Sequence, residues 1–150
     1  MKNSHENTKT RSLSIEELSA IVVDCGYKLH IEAGPGLLES VYEAVLARSL
    51  ELRGLKVKRQ VPVPIDLLGI HCDEGFRADL LVENVLIIEL KSVEKLAPVH
   101  SKQLLTYLRL MDLPMGLLMN FGAATFKEGC KRILNGKQNF KGSKLEINRS

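Results

Sequence analysis

The chain has 150 residues, 45% hydrophobic and 26% charged, with 21 Lys and Arg against 18 Asp and Glu for a net charge of +3. Such a chain is one globular domain, able to bury about 68–70% of its unfolded surface without staples, and it is no histone-like polycation. Three scattered cysteines (Cys25, Cys72, Cys130) form no CxxC pair, so no disulfide framework is expected and a reduced, cytoplasmic setting is.

Residues 1–12 read as a polar, disordered leader with no signal-peptide core, and no apolar run approaches the ~18 residues needed to cross a bilayer. Membrane functions are excluded on that basis. Ser14 with Glu17 spells a capping box, and Leu18, Ile21, Val22, Cys25 and Leu29 follow helical spacing. Gly34-Pro35-Gly36 breaks this helix. A second helix is expected from about Leu37 to Arg53, burying Leu38, Val41, Tyr42, Val45 and Leu46, with Gly54 closing it. Leu55 to Leu68 looks extended. Pro62 and Pro64 would remove two N–H donors on one lateral side, which places this strand at a sheet edge.

Gly69 to Gly75 reads as a turn-rich loop, followed by strands Phe76–Val82 and Leu86–Lys91. Pro98 suits the first turn of a third helix running to about Met111, with Leu104, Leu105, Leu108 and Met111 inward. Met115 to Phe121 is a short apolar run bounded by turns, a buried strand. Thr125 to Leu134 fits either a short helix or a strand. The folded domain is expected over residues 13–134 and a basic tail over 135–150. From residue 127 onward there are seven basic and two acidic side chains, a segment that either tracks phosphates or is a solvated tail. The pattern is a mixed α/β domain with one sheet of about four strands.

Polar residues inside apolar strands carry the chemical information, because a buried charge is costly without a partner. Asp79 interrupts one strand, and Glu89 and Lys91 end the next, two apart and so on one face. If Glu83-Asn84-Val85 forms a three-residue connection, Val82 faces Leu86 and Asp79 lies directly opposite Glu89. A two-residue Glu83-Asn84 turn would put them on opposite faces unless a bulge restores the register. Two carboxylates brought together need a proton or a cation between them, and Mg²⁺ suits an oxygen site of this kind. A lysine beside them completes the equipment for metal-assisted phosphodiester hydrolysis.

Asp79 followed by Glu89-x-Lys91 resembles the D…(D/E)-x-K core of the PD-(D/E)xK nuclease superfamily. Gln103 and Tyr107 resemble the Q-x-x-x-Y element of its RecB-like members, and Gly36-Leu37-Leu38-Glu39-Ser40-Val41-Tyr42 resembles the motif of the GxxExxY proteins assigned to it. Ala78 stands where the superfamily's proline is expected. The likeness spans about Ile15 to Leu134. It implies a restriction-endonuclease-like fold, a central mixed sheet flanked by helices. It implies Asp79, Glu89 and the Leu90 carbonyl as ligands of Mg²⁺ (or Mn²⁺), and Lys91 as the residue that orients the attacking water. It further implies Glu39 reaching the site from the helix before the sheet, and Gln103 and Tyr107 lining it from the helix after. Independently of the resemblance, Gln103 and Tyr107 are i, i+4 and share a helix face. Glu43 reads as surface on the Glu39 face. His100 reads as a helix N-terminal surface residue, and Arg77 either contacts phosphate or balances the carboxylates.

The expected function is a metal-dependent nuclease acting on nucleic acid, DNA first, through a metal-activated water. A homodimer would help so short a chain grip a duplex. The rival readings are a nuclease-fold module that binds nucleic acid without cutting, and an interaction protein that assembles through apolar surfaces.

Overall fold

The structure is a computed structural model that describes residues 13–136. The expected leader, and the tail from residue 137 onward, lie outside the described residues. Helix α1 spans Ile15–Ala33 and starts on the anticipated box: Ser14 Oγ accepts from Glu17 N–H, and Glu17 Oε1 accepts from Ser14 N–H. The chain reverses at Gly34 and Gly36, both at positive φ. Helix α2 (Glu39–Leu52), strand β1 (Val57–Leu67), strand β2 (Ile70–Val82) and strand β3 (Leu86–Lys91) follow. Helix α3 (Pro98–Met111) crosses over to strand β4 (Met115–Asn120), and a single turn α4 (Phe126–Gly129) leads into strand β5 (Cys130–Leu134). Among the described residues no helix is long and apolar enough to cross a membrane.

The strands form one sheet in the order β1-β2-β3-β4-β5. It is mixed: β3 and β4 are parallel, as a helical crossover requires, and the other neighbours are antiparallel. The fifth strand exceeds the four expected, because the ambiguous segment after Thr125 holds both a helical turn and a strand. Strand β1 lies at the edge, where Pro62 and Pro64 cost the ladder nothing on its open side.

Helices α1 and α2 cover one face of the sheet over a core that includes Tyr42, Leu46, Leu80, Ile88, Leu117 and Phe121. Helix α3 covers the other through Leu104 and Leu108, against Leu81, Ile87 and Leu118. Strands β3 and β4 are buried on both sides, which is why they read as unbroken apolar runs. Leu104 lies over Gly116, where an added Cβ would come within 3.0 Å of it, so the glycine sets how closely α3 approaches the sheet.

Three expectations change here. Gly69 to Gly75 is not a loop. Leu68 and Gly69, both at positive φ, form a two-residue reversal, and β2 begins at Ile70. The Ile65 side chain lies where a Cβ on Gly75 would be, so this part of the ribbon closes on a glycine. At α2, the N-cap residue Leu38 is 72% exposed and Val41 and Val45 are also exposed, while Tyr42, Glu43, Leu46, Ala47 and Leu50 are buried. The helix is rotated from the expected stripe, because buried Glu43 finds polar partners on β1. Asn135, expected in the tail, is fully buried, and its amide donates to the carbonyls of Leu108 and Leu113.

Candidate active site

The register of β2 on β3 decides whether Asp79 meets Glu89. Val82 pairs with Leu86, Leu81 with Ile87 and Leu80 with Ile88, so the next position sets Asp79 against Glu89. The turn that produces this combines both forms foreseen. Glu83 and Asn84 are at positive φ and Val85 N–H donates to Val82 C=O at 3.1 Å, a two-residue reversal. Val85 then stands as an extra residue before the ladder begins, and it restores the register as a bulge does.

At Asp79 the two strands part. No ladder pair continues there, and the carboxylates take over the vacated backbone groups. Asp79 N–H donates to Glu89 Oε2 at 3.0 Å, and Leu90 N–H donates to Asp79 Oδ2 at 2.8 Å. Each acid thus sits against the opposite strand, in one notch. Because the N–H and C=O of a residue in a strand point to the same lateral side, the Leu90 carbonyl opens into the notch as well.

Burial is the main influence on both acids. Glu89 is only 6% exposed, and desolvation, reinforced by the Asp79 charge and weakly by Glu39, pushes its carboxyl up to about 8. The hydrogen bond from Asp79 N–H and the Lys91 ammonium pull the other way. Asp79 is raised too, first by burial and then by Glu43 and Glu39. Its bonds from Leu90 N–H and Gln60 hold it back. At neutral pH, then, the notch retains a proton unless a cation takes its place.

Of the remaining expected residues, Lys91, Glu39 and Tyr107 interact electrostatically with the notch acids. Lys91 is half-buried at the end of β3, level with Asn120 on β4. Glu39 is exposed on the first turn of α2, and its charge is felt by both Asp79 and Glu89. Gln103 is exposed on α3. Tyr107 stacks on Phe76 with ring centroids 3.9 Å apart, and its hydroxyl is raised by burial and by the charges of Glu89 and Asp79, against a pull from Gln103. His100 Nδ1 accepts from Ala97 N–H and caps α3. Arg77 is held by both oxygens of Glu74, at 2.8 and 2.9 Å, so it does not balance the notch carboxylates.

Glu43 is the residue the sequence reading missed. It is 6% exposed, with Oε2 accepting from Arg59 Nε at 3.0 Å and Oε1 from Gln60 Nε2 at 2.6 Å. Gln60 Nε2 also reaches Asp79 Oδ1 at 3.3 Å. The helical pattern gave no hint of this. The only signal was an acid one turn beyond Glu39, opposite a polar Arg-Gln pair opening a strand.

Two supports hold the loops beside the notch. Tyr42 is fully buried, stacks on Phe121 at 4.6 Å, donates its hydroxyl to the Gly34 carbonyl and accepts from Leu37 N–H. Ser92 Oγ then donates to the Leu37 carbonyl, tying the glycine turn to the residue after Lys91. Asn120 Oδ1 accepts from Val93 N–H and Gly122 N–H and shapes the same exit from β3.

Among the described residues no group of three or more His, Cys, Asp or Glu is gathered as a metal cage. Two carboxylates and a carbonyl nevertheless fit a hard divalent cation. Mg²⁺ keeps several waters and binds through one or two carboxylates, and a positive ion would offset both the burial and the Asp79 repulsion that lift Glu89. Searches of the curated proteins and of the solved structures give no significant match. A family model, the PD-(D/E)XK nuclease superfamily, matches residues 16–133, from the first turn of α1 into β5. That span takes in the parted strands, both acids, the lysine and the helices on either side, and the chain belongs to the PD-(D/E)XK nuclease superfamily.

Proposed function

We propose that this chain is a metal-dependent nuclease that hydrolyses phosphodiester bonds of DNA. The observation that carries the reading is the reciprocal seating of Asp79 and Glu89 where β2 and β3 part, with Glu89 pushed up to about 8 by burial and by the neighbouring Asp79 charge. Asp79, Glu89 and the Leu90 carbonyl would hold Mg²⁺ or Mn²⁺, which supplies Lewis acidity at the phosphate and activates the attacking water.

The chain's own groups do the rest. Lys91 extends from the same strand as Glu89 and places its ammonium group beside the carboxylates, where the scissile phosphate would sit. Glu39 adds negative charge from the α2 side. Gln103 and Tyr107 offer an amide and a hydroxyl from α3 to orient the substrate or the lysine. The half-buried notch keeps the charges of Asp79, Glu89 and Lys91 poorly screened, so each counts for more than it would on an open surface.

Purified protein with Mg²⁺ or Mn²⁺ should cleave labelled single-stranded or duplex DNA. Asp79→Ala and Lys91→Ala should each lower the rate by about 100-fold or more, the scale of losing one electrostatic contributor at an active site. Cleavage unchanged by both substitutions would refute the reading, and a preference for RNA would reassign the substrate.

A further inference from the structure

Gln60 combines three features that a surface glutamine on an edge strand does not need. Its backbone is left-handed, at φ 50°, in the middle of β1, a conformation that is strained for a residue with a long side chain. Its neighbours pair regularly, Arg59 with Leu80 and Val61 with Ala78, so the distortion does not shift the register. It sets Gln60 level with Asp79. Its single amide nitrogen serves two acids, Glu43 Oε1 at 2.6 Å and Asp79 Oδ1 at 3.3 Å. That pattern also settles which end of the amide is nitrogen, since an oxygen there would face two carboxylates.

Asp79 is thereby held at both oxygens, Oδ1 by Gln60 and Oδ2 by Leu90 N–H. Glu43 is held at both of its own, by Gln60 and Arg59. It is buried with its charge matched on β1, so it serves as a fixed post rather than as a free ligand. An amide with two hydrogens is the neutral group that can bridge two carboxylates without adding charge to the notch.

We propose that Gln60 is a positioning residue: anchored on the buried Glu43, its amide fixes the orientation of the Asp79 carboxylate. The functional consequence rests on the nuclease reading above, whereas the anchoring itself does not. The strain at Gln60 is what this positioning costs the fold. Groups that orient ligands in this way typically govern about 10- to 100-fold in metal affinity or activity.

The test has two arms on the full chain. In the first, Gln60→Met keeps the length of the side chain and removes the amide. The expected outcome is Mn²⁺ binding weakened by about 10-fold or more by calorimetry, and kcat for DNA lowered by a similar factor with KM within about twofold. Adding Glu43→Gln to Gln60→Met should cost little more, because both act on Asp79 through one contact. In the second arm, the Gln60 side-chain amide is observed by nitrogen-15 NMR in the unsubstituted, metal-free protein. Its two protons should be distinct and slow to exchange, one responding to Glu43→Gln and the other to Asp79→Asn.

A Gln60→Met protein within twofold of the parent in both Mn²⁺ affinity and kcat overturns the proposal. So does a Gln60 amide that exchanges like that of an exposed glutamine. Should the parent protein neither bind Mn²⁺ nor cut DNA, the nuclease reading fails and the amide signature alone decides the anchoring. The exchange measurement on the unsubstituted protein needs no variant to fold.

Discussion

Glu89 shows how a buried carboxyl burdens the fold that holds it. Its carboxyl, pushed up to about 8, binds a proton in the folded state across a range where the unfolded chain has lost it, from about pH 4.5 upward. The stability it contributes is complete below the unfolded value and is lost as pH rises through the folded one. Metal-free protein should therefore melt at progressively lower temperature between pH 5 and pH 9 in a buffered thermal scan. Glu89→Gln, which stays neutral, should flatten that slope and exceed the parent at the alkaline end. Mg²⁺ should raise the melting temperature more at the alkaline end than at pH 6, because it binds the ionised pair. The sequence made Asp79, Glu89 and Lys91 legible since each is a polar residue in an apolar strand. Glu43 was illegible because a helix alternates surface and core by rotation, and nothing local tells an acid on α2 that Arg59 and Gln60 await it on β1.

Among the elements, the turn between β2 and β3 matters most to the site. Val85 is the single residue that brings Asp79 level with Glu89, and removing it would slip the register by one. Every side chain of β3 would then exchange faces, sending Glu89 and Lys91 to the opposite side and Ile88 and Leu90 toward the polar one. Deletion of Val85 is expected to abolish cleavage and to lower the melting temperature sharply, whereas Val85→Ala should leave both nearly unchanged. Comparing the two by cleavage assay and calorimetry separates register from side-chain content. Helices α1 and α3 were legible from capping and proline signals, and β4 from its apolar run. The start of β2 was not, because its first six residues, Ile70 to Gly75, are exposed and belong to a ribbon held by pairing rather than by a core. The rotation of α2 escaped for the same reason as Glu43, with Leu38, Val41 and Val45 facing outward.

Taken whole, the molecule is a mixed sheet covered by helices on both faces, and its centre is a parallel pair, β3 and β4, buried on each side. The site lies off that centre, where the antiparallel neighbour β2 parts from β3, so the rigid core can hold the acids while the notch between strands stays open. Such a sheet has two outer rims. One is β5, only five residues long, with Lys131 and Arg132 exposed. The other is β1, eleven residues long. A rim of that length invites stacking of one chain on another into fibrils, because unpaired N–H groups template a new strand. Pro62 and Pro64 have no such groups to offer. Replacing both with threonine would restore two donors along the longer rim while keeping a strand-forming residue at each place. The doubly substituted protein is expected to form thioflavin-positive aggregates sooner than the parent under agitation, at similar melting temperature. The prolines would then be read as protection against self-templating along the longer of the two rims, the one that also carries Gln60.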